Sequence, residues 1–82
     1  MKRLDALLSL LMEEASEIAQ EASKCQRFTP HHVDPISGRT NLTKLRIEVR
    51  DLMSVLYKLE LELGIGFDIS PDPAKLERIE KY

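Results

Sequence analysis

Two pairs of acidic residues, each with a spacing of three, are the residues of this chain best suited to chemistry. The first pair is Glu14 and Glu17, and the second pair is Glu48 and Asp51. In an α-helix this spacing places both members of a pair on one face. If the two helices pack together, four carboxylates can meet, and their mutual repulsion then requires a cation. Oxygen ligands of this kind are those that Mg²⁺ prefers, so the pattern suggests a magnesium site.

The alternative interpretation is that these acids form an ordinary solvated helix face. The chain has 14 acidic residues among 82, and this density produces such pairs by chance. A third pair, Glu77 and Glu80, has no matching pair elsewhere and is interpreted as surface. The first two pairs differ from it because they lie beside apolar stripes near the middle of the two longest predicted helices. That position favours their convergence.

Apolar residues with helical spacing predict the two helices that must position these acids. The first helix is predicted over residues 4–24, and its stripe consists of Leu4, Leu7, Leu8, Leu11, Ala15, Ile18, Ala19 and Ala22. The second is predicted over residues 41–63, and its stripe consists of Leu42, Leu45, Val49, Leu52, Leu56, Leu59 and Leu63. Asn41 suits an N-cap and Gly64 suits the residue that ends the helix. Glu14 and Glu48 fall at the margins of these stripes.

The rest of the chain is predicted to form a loop over residues 25–40 and a short third helix over residues 72–82. The loop carries three residues that disfavour helix: Pro30, Pro35 and Gly38. Its length in so small a domain makes it a candidate for function. Asp72 and Pro73 are typical of the N-cap and first position of a helix.

The predicted architecture is a single all-α domain, an antiparallel helical hairpin followed by a short C-terminal helix. Three apolar residues of the second helix lie off its stripe and give it a second apolar surface: Ile47, Tyr57 and Leu61. Two helices with so much apolar area cannot bury it alone. We therefore expect oligomerisation to complete a four-helix bundle.

Composition argues against several classes of protein. A net charge of −2 and the absence of tryptophan disfavour a dedicated nucleic-acid or membrane binder. The opening residues lack the uninterrupted apolar run and cleavage site of a signal peptide, and no segment approaches the length of a membrane span. The single cysteine, Cys25, cannot form an internal disulfide and is expected to fill space in the core. These observations predict a cytoplasmic protein.

The residues around both acidic pairs carry a family resemblance. The string LMEEASEI at residues 11–18 and the string EVRDLMSVL at residues 48–56 are the matching segments. They resemble the EExxE and ExxD elements of the MazG-like, all-α nucleoside triphosphate pyrophosphohydrolases. The flanking segments from Lys24 to Phe28 and from Lys75 to Tyr82 are similar to those of small stand-alone and phage-type members. The likeness covers nearly the whole chain.

The resemblance implies a helical enzyme that forms homodimers or homotetramers through four-helix bundles. Such enzymes use Mg²⁺, with Mn²⁺ as a substitute, to cleave a (d)NTP into (d)NMP and pyrophosphate. By position, the metal ligands and catalytic residues would be Glu14, Glu17, Glu48 and Asp51. The residues that would bind the substrate's phosphates are Arg27, Lys75 and Arg78. A phosphoribosyl-ATP pyrophosphatase-like enzyme and a non-catalytic helical dimer or interaction module remain as alternatives.

Other residues near these motifs have more ordinary interpretations. Glu13 is expected to hold a basic side chain rather than a metal, and Phe28 is expected to anchor the loop rather than to contact a base. His31 and His32 are not expected to bind Mg²⁺, because that ion prefers oxygen ligands. The loop is longer and the third helix shorter than in some relatives, so the preferred base and sugar stay open.

Overall fold

The computed structural model describes all 82 residues and contains three helices and no β-strand. Helix α1 spans Lys2–Phe28, α2 spans Asn41–Leu63 and α3 spans Pro73–Ile79. Helices α1 and α2 pack against each other, whereas α3 lies apart from both. The all-α class and the predicted helical hairpin are therefore confirmed. None of the three helices combines the length and apolar character needed to cross a lipid bilayer.

Helix α1 is longer than predicted, and the loop that follows it is shorter. The helix continues to Phe28, past the predicted end at residue 24, because the first helix-breaking residue is Pro30. Thr29 has a φ of 92°, a left-handed value that is costly for a β-branched residue, and there the helix ends. The connecting loop therefore covers residues 29–40, and Arg27 belongs to the helix.

Helix α2 has the predicted bounds but a different N-cap. The Thr40 side chain accepts a hydrogen bond from the Thr43 backbone N–H, so Thr40 is the N-cap. Asn41, predicted to be the cap, is instead the first helical residue and is 3% exposed. At the other end Gly64 adopts the predicted left-handed conformation, with a φ of 69°.

Helix α3 begins as predicted and ends early. The Asp72 side chain accepts from the Ala74 backbone N–H, and Pro73 occupies the first position of the helix. The helix stops at Ile79 rather than at residue 82. All of its residues are exposed, including its two large apolar side chains, Leu76 and Ile79.

The surface that α1 turns toward α2 differs from the predicted stripe. Seven of the buried and half-buried residues of α1 follow alternating spacings of three and four: Leu4, Leu7, Leu11, Glu14, Ile18, Glu21 and Cys25. Three more, Glu17, Ser23 and Lys24, are half-buried outside this pattern. Ala15, Ala19 and Ala22, which were predicted to pack there, are exposed. Alternating three and four is the spacing that keeps side chains directed at one neighbouring helix. Glu14 thus lies within the α1–α2 interface rather than at its margin.

The apolar part of this interface that is fully buried is small. Leu7, Val55 and Leu59 are buried, with four half-buried leucines packed around them: Leu4, Leu11, Leu56 and Leu63. The molecule measures 40 × 37 × 15 Å and is therefore only about one helix layer thick. Tyr57 and Leu61 stay exposed, in agreement with a second apolar surface, although Ile47 is half-buried.

Candidate metal centre

Three of the four predicted acids come together halfway along the hairpin. Glu14 and Glu17 from α1 and Glu48 from α2 each offer a carboxylate oxygen, and these oxygens all lie within 4.8 Å of one another. The two helices run antiparallel, since Arg3 near the start of α1 bonds Glu62 near the end of α2. The middle of α1 therefore lies beside the middle of α2. Three oxygens at this separation could ligate one hard divalent cation.

The burial of these side chains supports a cation rather than a solvated acidic face. One oxygen of Glu14 and one of Glu48, Oε2 in both cases, are buried without a hydrogen-bond partner. A buried carboxylate oxygen without a partner costs free energy that a fully solvated one does not. A cation bound by the three carboxylates would compensate both oxygens, so the donor set fits Mg²⁺.

The pKa values of two of these carboxyl groups are raised, which reflects the same unfavourable burial of negative charge. A hydrogen bond to Glu17, followed by burial and the negative charges of Glu17 and Asp51, raises the pKa of Glu48 to about 7. Burial, followed by the charges of Glu17 and Asp51, raises the pKa of Glu14. Near neutral pH the cluster thus retains a proton that carboxylates ordinarily lose. A bound cation would displace that proton.

Asp51, the fourth predicted ligand, lies at the edge of this group. It is exposed and is not among the three acids whose oxygens converge. Its charge nevertheless raises the pKa of both Glu14 and Glu48, which places it near them. Glu13, predicted to hold a basic side chain, is exposed and forms no ion pair.

Within a single chain, the structure does not bring the three predicted phosphate-binding residues together around the carboxylates. The Arg27 guanidinium lies 5.2 Å from the centre of the Phe28 ring and donates to the Ser23 carbonyl oxygen. Lys75 and Arg78 are exposed on α3, which lies apart from the hairpin.

A second polar group next to the carboxylates was missed from the sequence. Glu21 is 7% exposed, and its Oε1 lies 3.3 Å from Lys24 Nζ and 3.9 Å from Lys44 Nζ. Its Oε2 is buried without a partner. The signal that could have revealed it is its spacing of seven from Glu14, which places both acids at equivalent positions of the interface.

Lys44 connects this group to the loop. Its Nζ donates to Asp34 Oδ2 at 2.9 Å, while Asp34 Oδ1 accepts from the Ile36 backbone N–H. The bond to Lys44, followed by that to Ile36, lowers the pKa of Asp34 to about 2. The bond to Asp34 also raises the pKa of Lys44.

The fold and the site together define a helical hairpin with a half-buried cluster of carboxylates that suits a hard cation. Neither protein-family models nor curated proteins nor solved structures give a match to this chain. The case for a function therefore rests on the geometry of the carboxylates and on the two sequence motifs that contain them.

Proposed function

We propose that this chain is a Mg²⁺-dependent nucleoside triphosphate pyrophosphohydrolase of the MazG-like class, which converts a (d)NTP into (d)NMP and pyrophosphate. The observation that carries the proposal is the convergence of Glu14, Glu17 and Glu48 on the α1–α2 interface, with two carboxylate oxygens buried and unpartnered. A solvated acidic face would leave those oxygens in water. The motifs that contain these acids supply the reaction class.

The residues of the site divide into two roles. Glu14, Glu17 and Glu48 would hold Mg²⁺, which when bound neutralises phosphate charge and lowers the pKa of a water molecule. Asp51 lies outside the group of three and is exposed, so its carboxylate stays free to orient or deprotonate the attacking water. Arg27, Lys75 and Arg78 are the cations proposed to bind phosphate oxygens, and the last two require α3 to approach the site.

The surface area of the chain supports self-association. Its accessible area is 6512 Å². A compact monomer of 9.4 kDa exposes about 5,000 Å². The difference is comparable to one partner's share of a large interface. Apolar side chains on the outer face of α2 are exposed and available to a second copy: Val49, Met53, Tyr57 and Leu61.

A second copy packed on that face would complete a four-helix bundle and could bring its own α3 toward the carboxylates. Light scattering of the purified chain should therefore give the mass of a dimer or a tetramer. A stable monomer at micromolar concentration would contradict this part of the proposal.

The activity is tested by incubating the chain with a panel of NTPs and dNTPs, and with phosphoribosyl-ATP, in the presence of Mg²⁺. We expect pyrophosphate release from at least one nucleotide. Glu48→Ala should reduce it by about 100-fold or more, because it removes the only ligand of the three that α2 supplies. Glu77→Ala is the matched control, since Glu77 is an exposed member of the third acidic pair and should keep full activity.

Three results would contradict different parts of the proposal. If no nucleotide yields pyrophosphate, the chain is not this enzyme, and the non-catalytic helical module is favoured. If Glu48→Ala and Glu77→Ala are equally active, the reaction stands but the carboxylate cluster is not its site. If pyrophosphate is released only from phosphoribosyl-ATP, the proposed substrate changes and the proposed site stands.

A further inference from the structure

A depression separate from the carboxylate cluster lies at the closed end of the hairpin, beside the loop over residues 29–40. It has a volume of about 200 Å³ and is lined chiefly by six residues, Lys24, Phe28, His32, Asp34, Asn41 and Lys44. Lys44 precedes Glu48 by four residues, which is about 6 Å along the helix axis. The depression therefore adjoins the carboxylate cluster but does not include any of its members.

One wall of the depression is aromatic. The Phe28 and His32 rings have centroids 5.9 Å apart and are tilted by 34°, and the Phe28 side chain is 53% exposed. A buried anchor for the loop would not leave half of its surface uncovered. Exposed aromatic faces at a concave surface can stack on a flat, conjugated ligand.

The polar edge of the depression offers both hydrogen-bond donors and an acceptor. Asn41 Nδ2 donates to the Thr29 carbonyl oxygen at 3.0 Å, which fixes the amide and leaves Oδ1 without a donor from the protein. The His32 ring nitrogens make no hydrogen bond, and the Lys24 ammonium has only one partner. A ligand that presents a donor beside an acceptor would complement this edge.

The two lysines that line the depression are already paired. Lys24 is paired with Glu21, and Lys44 is paired with both Glu21 and Asp34, so two ammonium groups face two carboxylates. A dianionic phosphate in the depression would have to compete with those carboxylates, whereas a neutral planar ligand would not. Arg27, which lies over the Phe28 ring at the rim, makes no ion pair and stays available for a phosphate outside the depression. The combination of aromatic wall, mixed polar edge and paired lysines matches a nucleobase.

We propose that this depression, which we name the base pocket, binds the nucleobase of the substrate through a base N–H group that lies beside an acceptor atom. Asn41 Oδ1 would accept from that N–H group, and a lysine or His32 would donate to the neighbouring acceptor. The nucleotide identity of the ligand rests on the proposed function. The location of the pocket rests on residues that the carboxylate cluster does not use.

The walls of the base pocket are held in place before any ligand arrives. Backbone hydrogen bonds join Asn41 N to His32 O at 3.0 Å, Leu42 N to Pro30 O at 2.9 Å and Asp34 N to Arg39 O at 2.8 Å. Little conformational entropy would therefore be lost on binding. His32 itself is exposed, and its ring makes no hydrogen bond, so replacing it should leave the fold intact.

The test uses nucleosides without phosphate and without Mg²⁺, followed by two-dimensional NMR of the labelled chain. Cytidine, adenosine, guanosine and uridine should shift the signals of Phe28, His32 and the Asn41 side-chain amide. N3-methyluridine, which has no base N–H, should shift the Asn41 amide much less, and inorganic phosphate, which the proposed function assigns to Arg27 beside Phe28, should leave that amide unshifted. His32→Ala should weaken nucleoside binding at least about fivefold through lost stacking, whereas His31→Ala, at the exposed neighbouring position, should not change it.

Several outcomes would overturn the proposal. The pocket is wrong if no nucleoside shifts these signals, if inorganic phosphate shifts the Asn41 amide as strongly, or if His32→Ala binds as well as His31→Ala. Equal binding of uridine and N3-methyluridine would overturn the assigned hydrogen bond to Asn41.

The failure of this proposal is distinguishable from the failure of the proposed function. If the chain releases pyrophosphate while nucleosides shift no pocket signal, the pocket is refuted and the enzyme stands. If nucleosides bind the pocket but no pyrophosphate is released, the pocket is supported without the reaction. In an active enzyme His32→Ala should raise KM with little change in kcat, because His32 contacts no reacting atom.

Discussion

The two halves of the hairpin interface use the same helix positions for different purposes. The apolar half, at the open end, contains Leu7 opposite Val55 and Leu59. The polar half, toward the loop, contains Glu14 and Glu21, which follow Leu7 at intervals of seven residues. Both halves belong to one continuous interface, so the difference between them arises from side-chain chemistry and not from backbone geometry.

This difference indicates that Glu14 and Glu48, unlike the ion-paired Glu21, are not placed in the polar half to stabilise the fold. Burial of the apolar half stabilises the hairpin, at about 25 cal/mol for each Å² of apolar surface removed from water. In the polar half three carboxylate oxygens, on Glu14, Glu21 and Glu48, are buried without partners. An apolar side chain in place of Glu14 or Glu48 would leave no such oxygen buried, so the charge cluster favours a function that needs it.

The largest expected effect comes from breaking the apolar half. Leu59 is fully buried, and Leu59→Ala should lower the free energy of unfolding by about 2–5 kcal/mol, because it removes apolar contacts and leaves a cavity. Urea denaturation followed by circular dichroism measures the change. Ile36→Ala is the control, since Ile36 is 95% exposed and should change the stability little. Equal effects of the two variants would refute the assigned core.

Replacing an acid of the polar half by an apolar residue should have a smaller effect on the free energy of unfolding, and one of opposite sign. Glu14→Leu should raise the metal-free stability, because it replaces a carboxylate that has a buried, unpartnered oxygen by an apolar side chain. Mg²⁺ at 100 times its Kd should stabilise the natural chain by about 2.7 kcal/mol and should not stabilise the variant.

Thermal unfolding with and without Mg²⁺ measures both effects. Glu13→Leu, at the exposed neighbouring position, should keep the response to Mg²⁺. If Glu14→Leu destabilises the metal-free chain, then Glu14 contributes to the fold, and the contrast between the two halves is wrong.

The smallest expected effect is the dependence of metal-free stability on pH. The folded chain raises the pKa of Glu48 from 4.5 to about 7, so between these values it binds more protons than the unfolded chain. Stability should therefore fall as pH rises from 4.5 to 7, by about 1 kcal/mol because solvent near the cluster screens the interaction. The unfolding temperature should fall by roughly 4–8 °C. Glu48→Gln should reduce this dependence, although the raised pKa of Glu14 remains, and an unchanged profile in that variant would refute the assignment to Glu48.

Local signals in the sequence were sufficient to predict the helices and to single out the three acids that converge. Helical spacing, the Asp72–Pro73 start and Gly64 depend on residues close in the chain, and the structure has each of them as predicted. The spacing of three within each acidic pair likewise needs only helical geometry. Convergence of Glu14 and Glu48 could be anticipated because both lie near the middle of their helices.

The face that α1 turns toward α2 could not be read from α1 alone. Two neighbouring stripes of that helix are plausible interfaces, one through Ala15 and Ala19 and the other through Glu14 and Glu21. Which stripe is covered depends on the length and course of the loop, and hence on residues outside the helix. Hydrophobicity favoured the alanines, whereas the structure buries the acids. Glu21 was missed for that reason.

The hydrogen bonds that close the loop also bear on how the chain folds. Asn41 bonds Thr29 across only twelve residues, whereas Arg3 and Glu62, at the open end, are 59 residues apart in sequence. Closing a short loop costs less chain entropy than closing a long one, so we expect the helices to associate first at the loop and then to zip toward the termini. Such topologies of low contact order fold in microseconds to milliseconds. The polar half would then assemble before the apolar half that stabilises it.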